Sequence, residues 1–250
     1  MADAESGPRP TSSASIEQPD YWWYQARAGL LEAALGGYLG TPRRLLDVGS
    51  ADAPSVGWTR GDHVSISVDI DPRGLPKGLG VCGSLLALPF ADGSFDVVGA
   101  FDVVEHCDDE ARALQELSRV LTADGRLLMS VPAYQWAWSS HDVAAGHYRR
   151  YTRRRLLSAV ERASLTVDRA TYAFASVFPF FAAERLVRRL AGPSRQSPRA
   201  GHNRLPAVSR RVAATFRGLC RAESALVRRQ DLPFGSSVFL AARKQPRGAR

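Results

Sequence analysis

"RRLLDVGSADAP", residues 43 to 54, is a short apolar run that closes on Gly49, and it decides how the rest of the chain is read. Leu45, Leu46 and Val48 suit a strand buried on both faces, and a glycine directly after them suits a tight turn. In nucleotide-binding sheets such a turn aims backbone N–H groups at the ligand, usually with two or three glycines. Here Gly49 is present, and Ala51 and Ala53 stand where further glycines would be expected.

Outward from this stretch, strands and helices alternate. "HVSISVDID" (63 to 71) alternates Val64, Ile66, Val68 and Ile70 and ends in two acids, so Asp69 closes a second strand about 20 residues after the first. "FDVVGAF" (95 to 101) and "GRLLMSVP" (125 to 132) read as buried strands. The stretch 108 to 121 between them reads as a helix with Ala111, Leu114, Leu117 and Leu121 on one face and a stop at Asp124-Gly125. Upstream, "YWWYQARAGLLEAALGGYL" (21 to 39) has helical spacing and ends in glycines and Pro42. Downstream follow a helix over about 153 to 163, a strand over 165 to 174 and a closing strand over 236 to 244. Two helical stretches between those strands read as an insertion over about 175 to 230.

This order predicts an α/β fold: a Rossmann-like, doubly wound, mostly parallel sheet, with an N-terminal helix and a helical insertion before the last strand. The expected organisation is a tail over 1 to 16, one domain over 17 to 244 and a tail over 245 to 250. Within the domain, 41 to 133 forms the cofactor-binding core and 134 to 152 a loop facing the substrate. Three cysteines, far apart and odd in number, argue against a disulfide framework. With no apolar run of membrane-spanning length, a cytoplasmic location is expected. The net charge of +8 is unevenly spread, because 23 of the 33 basic residues follow position 148. The C-terminal part is therefore where an anion would be met.

The segments "LLDVGSADAPSVG", "SVDID", "GSLLALPFADGSFDVVGAFDVVEHCDDE" and "ELSRVLTADGRLLMSVPA", in this order over about 45 to 133, resemble the class I S-adenosylmethionine-dependent methyltransferases. The resemblance implies a seven-stranded sheet and S-adenosylmethionine as cofactor. It implies Asp69 on the adenosine ribose with Ile70 beside it, and Asp47, Gly49 and Ala51 against the methionine part. Ser84 and Leu85 would lie beside adenine, and Phe101 and Asp102 near the methyl donor. "YWWYQAR" and "WSSHDVAAGHYRRYT" are similar to a narrower branch of polysaccharide and glycoconjugate assembly. That likeness points to O-methylation of a small molecule, sugar or lipid-linked glycan.

Methyl transfer to a hydroxyl needs alignment and a base, so His141, Asp142 and His147 are the candidate catalytic residues, with no metal assigned. Tyr24, Arg27, Tyr148, Arg149 and Arg150 are the candidate acceptor-binding residues, the last two within five arginines between 149 and 155. The aromatic and basic stretch 174 to 191 would make peripheral contact with the inner face of a membrane. Alternative readings are an RNA methyltransferase using the basic half and an inactive binding subunit of the same fold; nucleic acid is not the favoured partner. A short-chain dehydrogenase is excluded by the lack of a Tyr-x-x-x-Lys pair, since Lys77 and Lys244 are the only lysines.

Overall fold

The computed structural model describes residues 21–49, 56–190 and 208–245, apart from the side chains of 188–190. Seven strands form one sheet: β1 (Arg44–Val48), β2 (Val64–Asp69), β3 (Gly80–Cys82), β4 (Phe95–Phe101), β5 (Leu121–Pro132), β6 (Leu165–Ala173) and β7 (Ser237–Lys244). Their order is β3-β2-β1-β4-β5-β7-β6, with β7 antiparallel to both neighbours and the other pairings parallel. The chain leaves β1 toward β3 on one side and returns beside β1 as β4 on the other. That reversal opens a crevice beyond the strand ends of β1 and β4, where doubly wound sheets bind ligands. The three-residue β3 escapes periodicity because three residues carry no period to read.

Six α-helices are described: α1 (Trp22–Leu39), α2 (Glu110–Val120), α3 (Ser140–Ala144), α4 (Arg153–Arg162), α5 (Phe178–Leu190) and α6 (Arg210–Val227). The expected insertion before the last strand is α5 and α6. Helical crossovers on both faces are found for only part of the sheet. Among the described residues, the connections from β1 through β4 hold only short 3-10 turns, at Gly57–Thr59 and Pro72–Gly74. None of the described helices is long and apolar enough to cross a membrane.

α1 lies between the sheet and α6, which explains burial on more than one of its faces. Leu30, Leu31 and Leu35 are fully buried, each stabilising the fold by on the order of 2 kcal/mol. Arg169 on β6 ties three elements together, donating to the Ala34 carbonyl of α1 at 2.8 Å and to the Val227 carbonyl of α6, and pairing with Asp231. A guanidinium at the carboxyl ends of helices also opposes their negative dipole ends. Glu223 of α6 accepts from the backbone N–H groups of Ala175 and Ser176 at 3.0 and 2.8 Å, securing the entry to α5.

α2 buries Ala113, Leu114, Leu117 and Val120, whereas Ala111, expected on that face, is exposed. The helix stops four residues before Asp124-Gly125, because the chain enters β5 directly at Leu121. Asp124 then sits at φ +64°, in a bulge between the pairings of Leu121 with Phe95 and Arg126 with Val97. On α2, Glu116 accepts from Leu88 N–H at 2.8 Å and from Arg119 at 2.9 Å. Arg119 also donates to the Phe90 and Leu88 carbonyls and to Asp92. The "LPFAD" loop is thereby clamped at the start of β4, which gives "ELSRVL" a fold-holding role.

Candidate functional site

Val48 pairs with Val68 on one side and Ala100 on the other, so the next residue, Gly49, lies between the ends of β2 and β4, next to Asp69 and Phe101. Gly49 has φ +77° and donates its N–H to the Val68 carbonyl at 2.9 Å. A Cβ there would come within 2.9 Å of Val103 Cβ, so both conformation and packing demand glycine. Asp69 keeps its carboxylate at the strand end, with one oxygen accepting from Asp71 N–H at 2.8 Å. Ile70 beside it is 64% exposed, an apolar surface at the mouth of the crevice. Asp47 is buried within β1. Ala51, with the rest of 50–55, lies outside the described residues.

Ser84 is exposed, and its Oγ accepts from Leu86 N–H at 3.2 Å, while Leu85 is packed into the core. Leu85 can therefore support the wall of an adenine site but shows a ligand little of its side chain. A carboxylate able to accept from vicinal hydroxyls, an apolar wall and a glycine turn between them are a donor set that fits an adenosine group.

At the end of β4, Phe101 is buried against Trp58, ring centroids 6.0 Å apart. Asp102 follows at φ +53°, unusual for a residue other than glycine and typical of functional turns. Three contacts hold it there. Its N–H donates to the Ser130 carbonyl at 2.9 Å, Ser130 Oγ donates to Oδ1 at 3.1 Å, and Arg27 pairs with Oδ2 at 2.8 Å. Arg27 is 1% exposed, under the Trp23 ring, and also donates to Ser130 Oγ at 3.2 Å. Arg27, expected to bind the acceptor, is buried here with its guanidinium on Asp102. Tyr24, expected beside it, is also buried and packs against Tyr21 and Trp23.

The loop after β5 closes around Asp142, which is fully buried in α3. Asp142 accepts from Ser139 N–H and Oγ at 2.9 and 3.0 Å and from Arg150 at 2.7 and 3.1 Å. Its Oδ1 also lies 2.9 Å from His147 Nδ1. Burial alone would raise its pKa, but hydrogen bonds from His147 and Arg150 outweigh it and hold the carboxyl well below the usual range. The carboxylate thus orients His147. His141, expected as the base beside Asp142, is an exposed member of α3, and burial of its ring nitrogens lowers its pKa.

Arg149 and Arg150, also expected to bind the acceptor, are likewise engaged by the protein. Arg150 is buried on Asp142, and Arg149 donates to the Cys107 and Asp108 carbonyls at 2.6 Å each. Arg155 reaches the Arg150 carbonyl and Glu110. Arg150 thus braces its own loop, Arg149 ties that loop to the segment after β4, and Arg155 ties it to Glu110 at the start of α2. Tyr148, also expected to bind the acceptor, is 58% exposed.

Three residues outside the expected set complete the site: Ser130, Glu105 and His106. Ser130 links Arg27 to Asp102. Glu105, in the turn Val104–His106, is fully buried, and neither carboxylate oxygen has a hydrogen-bond partner. Burial and the nearby Asp102 charge push its pKa well up. Glu105, His106 and His147 offer ligand atoms within 4.8 Å of one another, and the two imidazoles meet edge to face at 4.6 Å. The pKa of His106 is pushed down to about 4 by surrounding protein and by His147. The signal was "VVEH", an acid and a histidine at the end of a buried strand; what it lacked was any sign that His147 returns to it.

Residues 46–129 match the family model described as a methyltransferase domain. An uncharacterized methyltransferase of Mycobacterium sp. (strain KMS) is 32% identical over 114 residues, 42% of this chain and 45% of that protein. A probable S-adenosylmethionine-dependent methyltransferase of Mycobacterium tuberculosis is 47% identical over 49 residues, 20% of this chain and 18% of that one. The matched region spans less than half the length of these relatives. Among solved structures, a putative methyltransferase complexed with the Haloferax volcanii Trm112 activator aligns with TM-score 0.58 and 15% identity, over 95% of this chain and 96% of that one. The Burkholderia thailandensis 1,6-didemethyltoxoflavin-N1-methyltransferase, solved with S-adenosylhomocysteine bound, aligns with TM-score 0.53 and 16% identity, over 98% and 94%. The sheet order, the Gly49 turn with Asp69 beside it and the match over 46–129 agree: residues 46–129 are similar to a methyltransferase domain, within a fold like that of solved methyltransferases.

Proposed function

We propose that the protein methylates an oxygen of a sugar, small-molecule or lipid-linked glycan acceptor, with S-adenosylmethionine as donor. The observation that carries the reading is the convergence of the Asp142-oriented His147 on the end of β4, near Asp102. S-adenosylmethionine, when bound, supplies an electrophilic methyl group on a sulfonium. Asp69 would hold its ribose hydroxyls and Ile70 would pack against the adenine. Arg27 and Ser130 keep Asp102 in its strained turn, so the floor of the site is set before ligands arrive.

On the acceptor side, Asp142 engages Nδ1 of His147 and leaves Nε2 to take the proton of an attacking hydroxyl. Exposed Tyr148 offers a ring face of the kind that sugars stack on. Membrane contact through 174–191 is supported by Phe180, Leu186 and Val187, each exposed on α5. The engagement of Arg149, Arg150 and Arg155 by groups of the protein itself favours a neutral portion of the acceptor here and weighs against an RNA backbone.

The test is methyl transfer from tritiated S-adenosylmethionine to fractionated glycolipids and polysaccharide precursors. Label should enter an alkali-stable ether. His147→Ala should lower kcat by about 10²-fold with cofactor affinity unchanged, whereas His141→Ala should have little effect. Equal loss of turnover and cofactor affinity in His147→Ala would overturn the assignment.

A further inference from the structure

We infer that Glu105, His106 and His147 form a binding site for one divalent transition-metal ion of the zinc or iron(II) type, at the end of β4. Four observations converge. The ligand atoms lie within 4.8 Å of one another, a spread that small side-chain rotations close to the roughly 3.3 Å between donors around a tetrahedral ion. The Glu105 side chain is 0% exposed, and both its carboxylate oxygens lack a hydrogen-bond partner. Proteins rarely leave such a group unsatisfied unless something else is to meet it. His147 has Nδ1 engaged by the Asp142 carboxylate, and His106 has a ring hydrogen bond to the Ala145 carbonyl. Metal-binding histidines show this pattern, with one nitrogen on a carboxylate or carbonyl and the other on the metal.

The fourth observation is the support behind Asp142. Arg150 grips both of its oxygens and Ser139 caps it, so the outer ring that aims His147 is itself fixed. One carboxylate and two imidazoles suit zinc, iron(II) or cobalt(II), whereas magnesium favours oxygen ligands throughout. Three protein ligands leave at least one coordination position for an exogenous oxygen. The ion's use rests on the methyl transfer proposed above: it would hold the acceptor oxygen and lower its pKa so that the proton passes to solvent water before attack, with His147 serving as ligand in place of its role as base. Binding of the ion does not depend on that reading.

The test uses the full chain, freed of metal by chelator and titrated calorimetrically with zinc at neutral pH. Wild type should bind one zinc per chain with micromolar or tighter Kd, and excess magnesium should not compete. Glu105→Gln and His106→Gln should each weaken zinc binding at least tenfold while S-adenosylhomocysteine binding persists, which reports an intact fold. The cobalt(II) complex of wild type should show a visible spectrum without thiolate charge transfer, separating this site from Cys82, Cys107 and Cys220. Absence of saturable zinc binding, thiolate character in the cobalt spectrum, or binding unchanged in both variants would overturn the site. Zinc binding without methyl transfer to any glycan would leave the site standing and remove only the use assigned to it.

Discussion

Two buried glutamates mark the two ends of β4. Glu116, near its start, is 3% exposed, with both oxygens engaged by Arg119 and the Leu88 N–H. Glu105, just past its end, is 0% exposed, with neither oxygen bonded. The pKa values move accordingly, Glu116 down through its Arg119 hydrogen bonds and Glu105 up through burial. A buried acid that fastens the fold has its bonding capacity filled from within the chain. One left unfilled at a strand end, facing two imidazoles, is arranged for something that arrives from outside.

If this contrast is right, substitutions at the first end should move stability and those at the second should move binding. The largest effect is expected for Glu116→Ala, which strands Arg119 and the Leu88 amide and should cost about 3 kcal/mol. By thermal unfolding, that is a fall in Tm of roughly 6–12 °C. The same clamp has a pH signature. Because the folded pKa of Glu116 lies below its ordinary value, its stabilisation is complete above about pH 4.5 and is lost as pH falls below it. Unfolding midpoints measured from pH 6 to 3 should decline less steeply in Glu116→Gln than in wild type.

Next in size is Asp69→Ala, expected to weaken S-adenosylmethionine binding about 10–100-fold by calorimetry, the loss of charge-assisted hydrogen bonds to ribose. Its Tm should stay close to wild type. Gly49→Ala should cost about 1–2 kcal/mol, through positive φ and contact with Val103. Adding Val103→Ala should recover the contact part only. The smallest effect is expected for Glu105→Gln without metal, which keeps the side chain's shape and removes no side-chain hydrogen bond. Its Tm at neutral pH should match or slightly exceed wild type, and a fall as large as that of Glu116→Ala would erase the distinction between the two glutamates.

The placing of Gly49 and Asp69 at neighbouring strand ends was legible in sequence because the signals are local. Gly49 follows an apolar run and Asp69 ends an alternating one, and a parallel sheet brings consecutive strand ends together. The acceptor side was legible only as a list of suitable residues. His141 and Asp142 are neighbours in sequence, but the turn after α3 returns His147, not His141, to the carboxylate. Arg27 and Arg150 looked like ligands for an anion because nothing in their neighbourhood showed that Asp102 and Asp142 would claim them.

The sequence by itself determined the layered α/β architecture, most strand positions and the glycine turn with an acid at the neighbouring strand end, since these follow from apolar periodicity and short-range turn chemistry. Only the tertiary structure decided which charges are spent inside the protein and which remain for a ligand. That allocation depends on partners up to 135 positions apart, as between Arg169 and Ala34. Burial then sets its energetic weight, because a polar group removed from water must find a partner or be left to meet one.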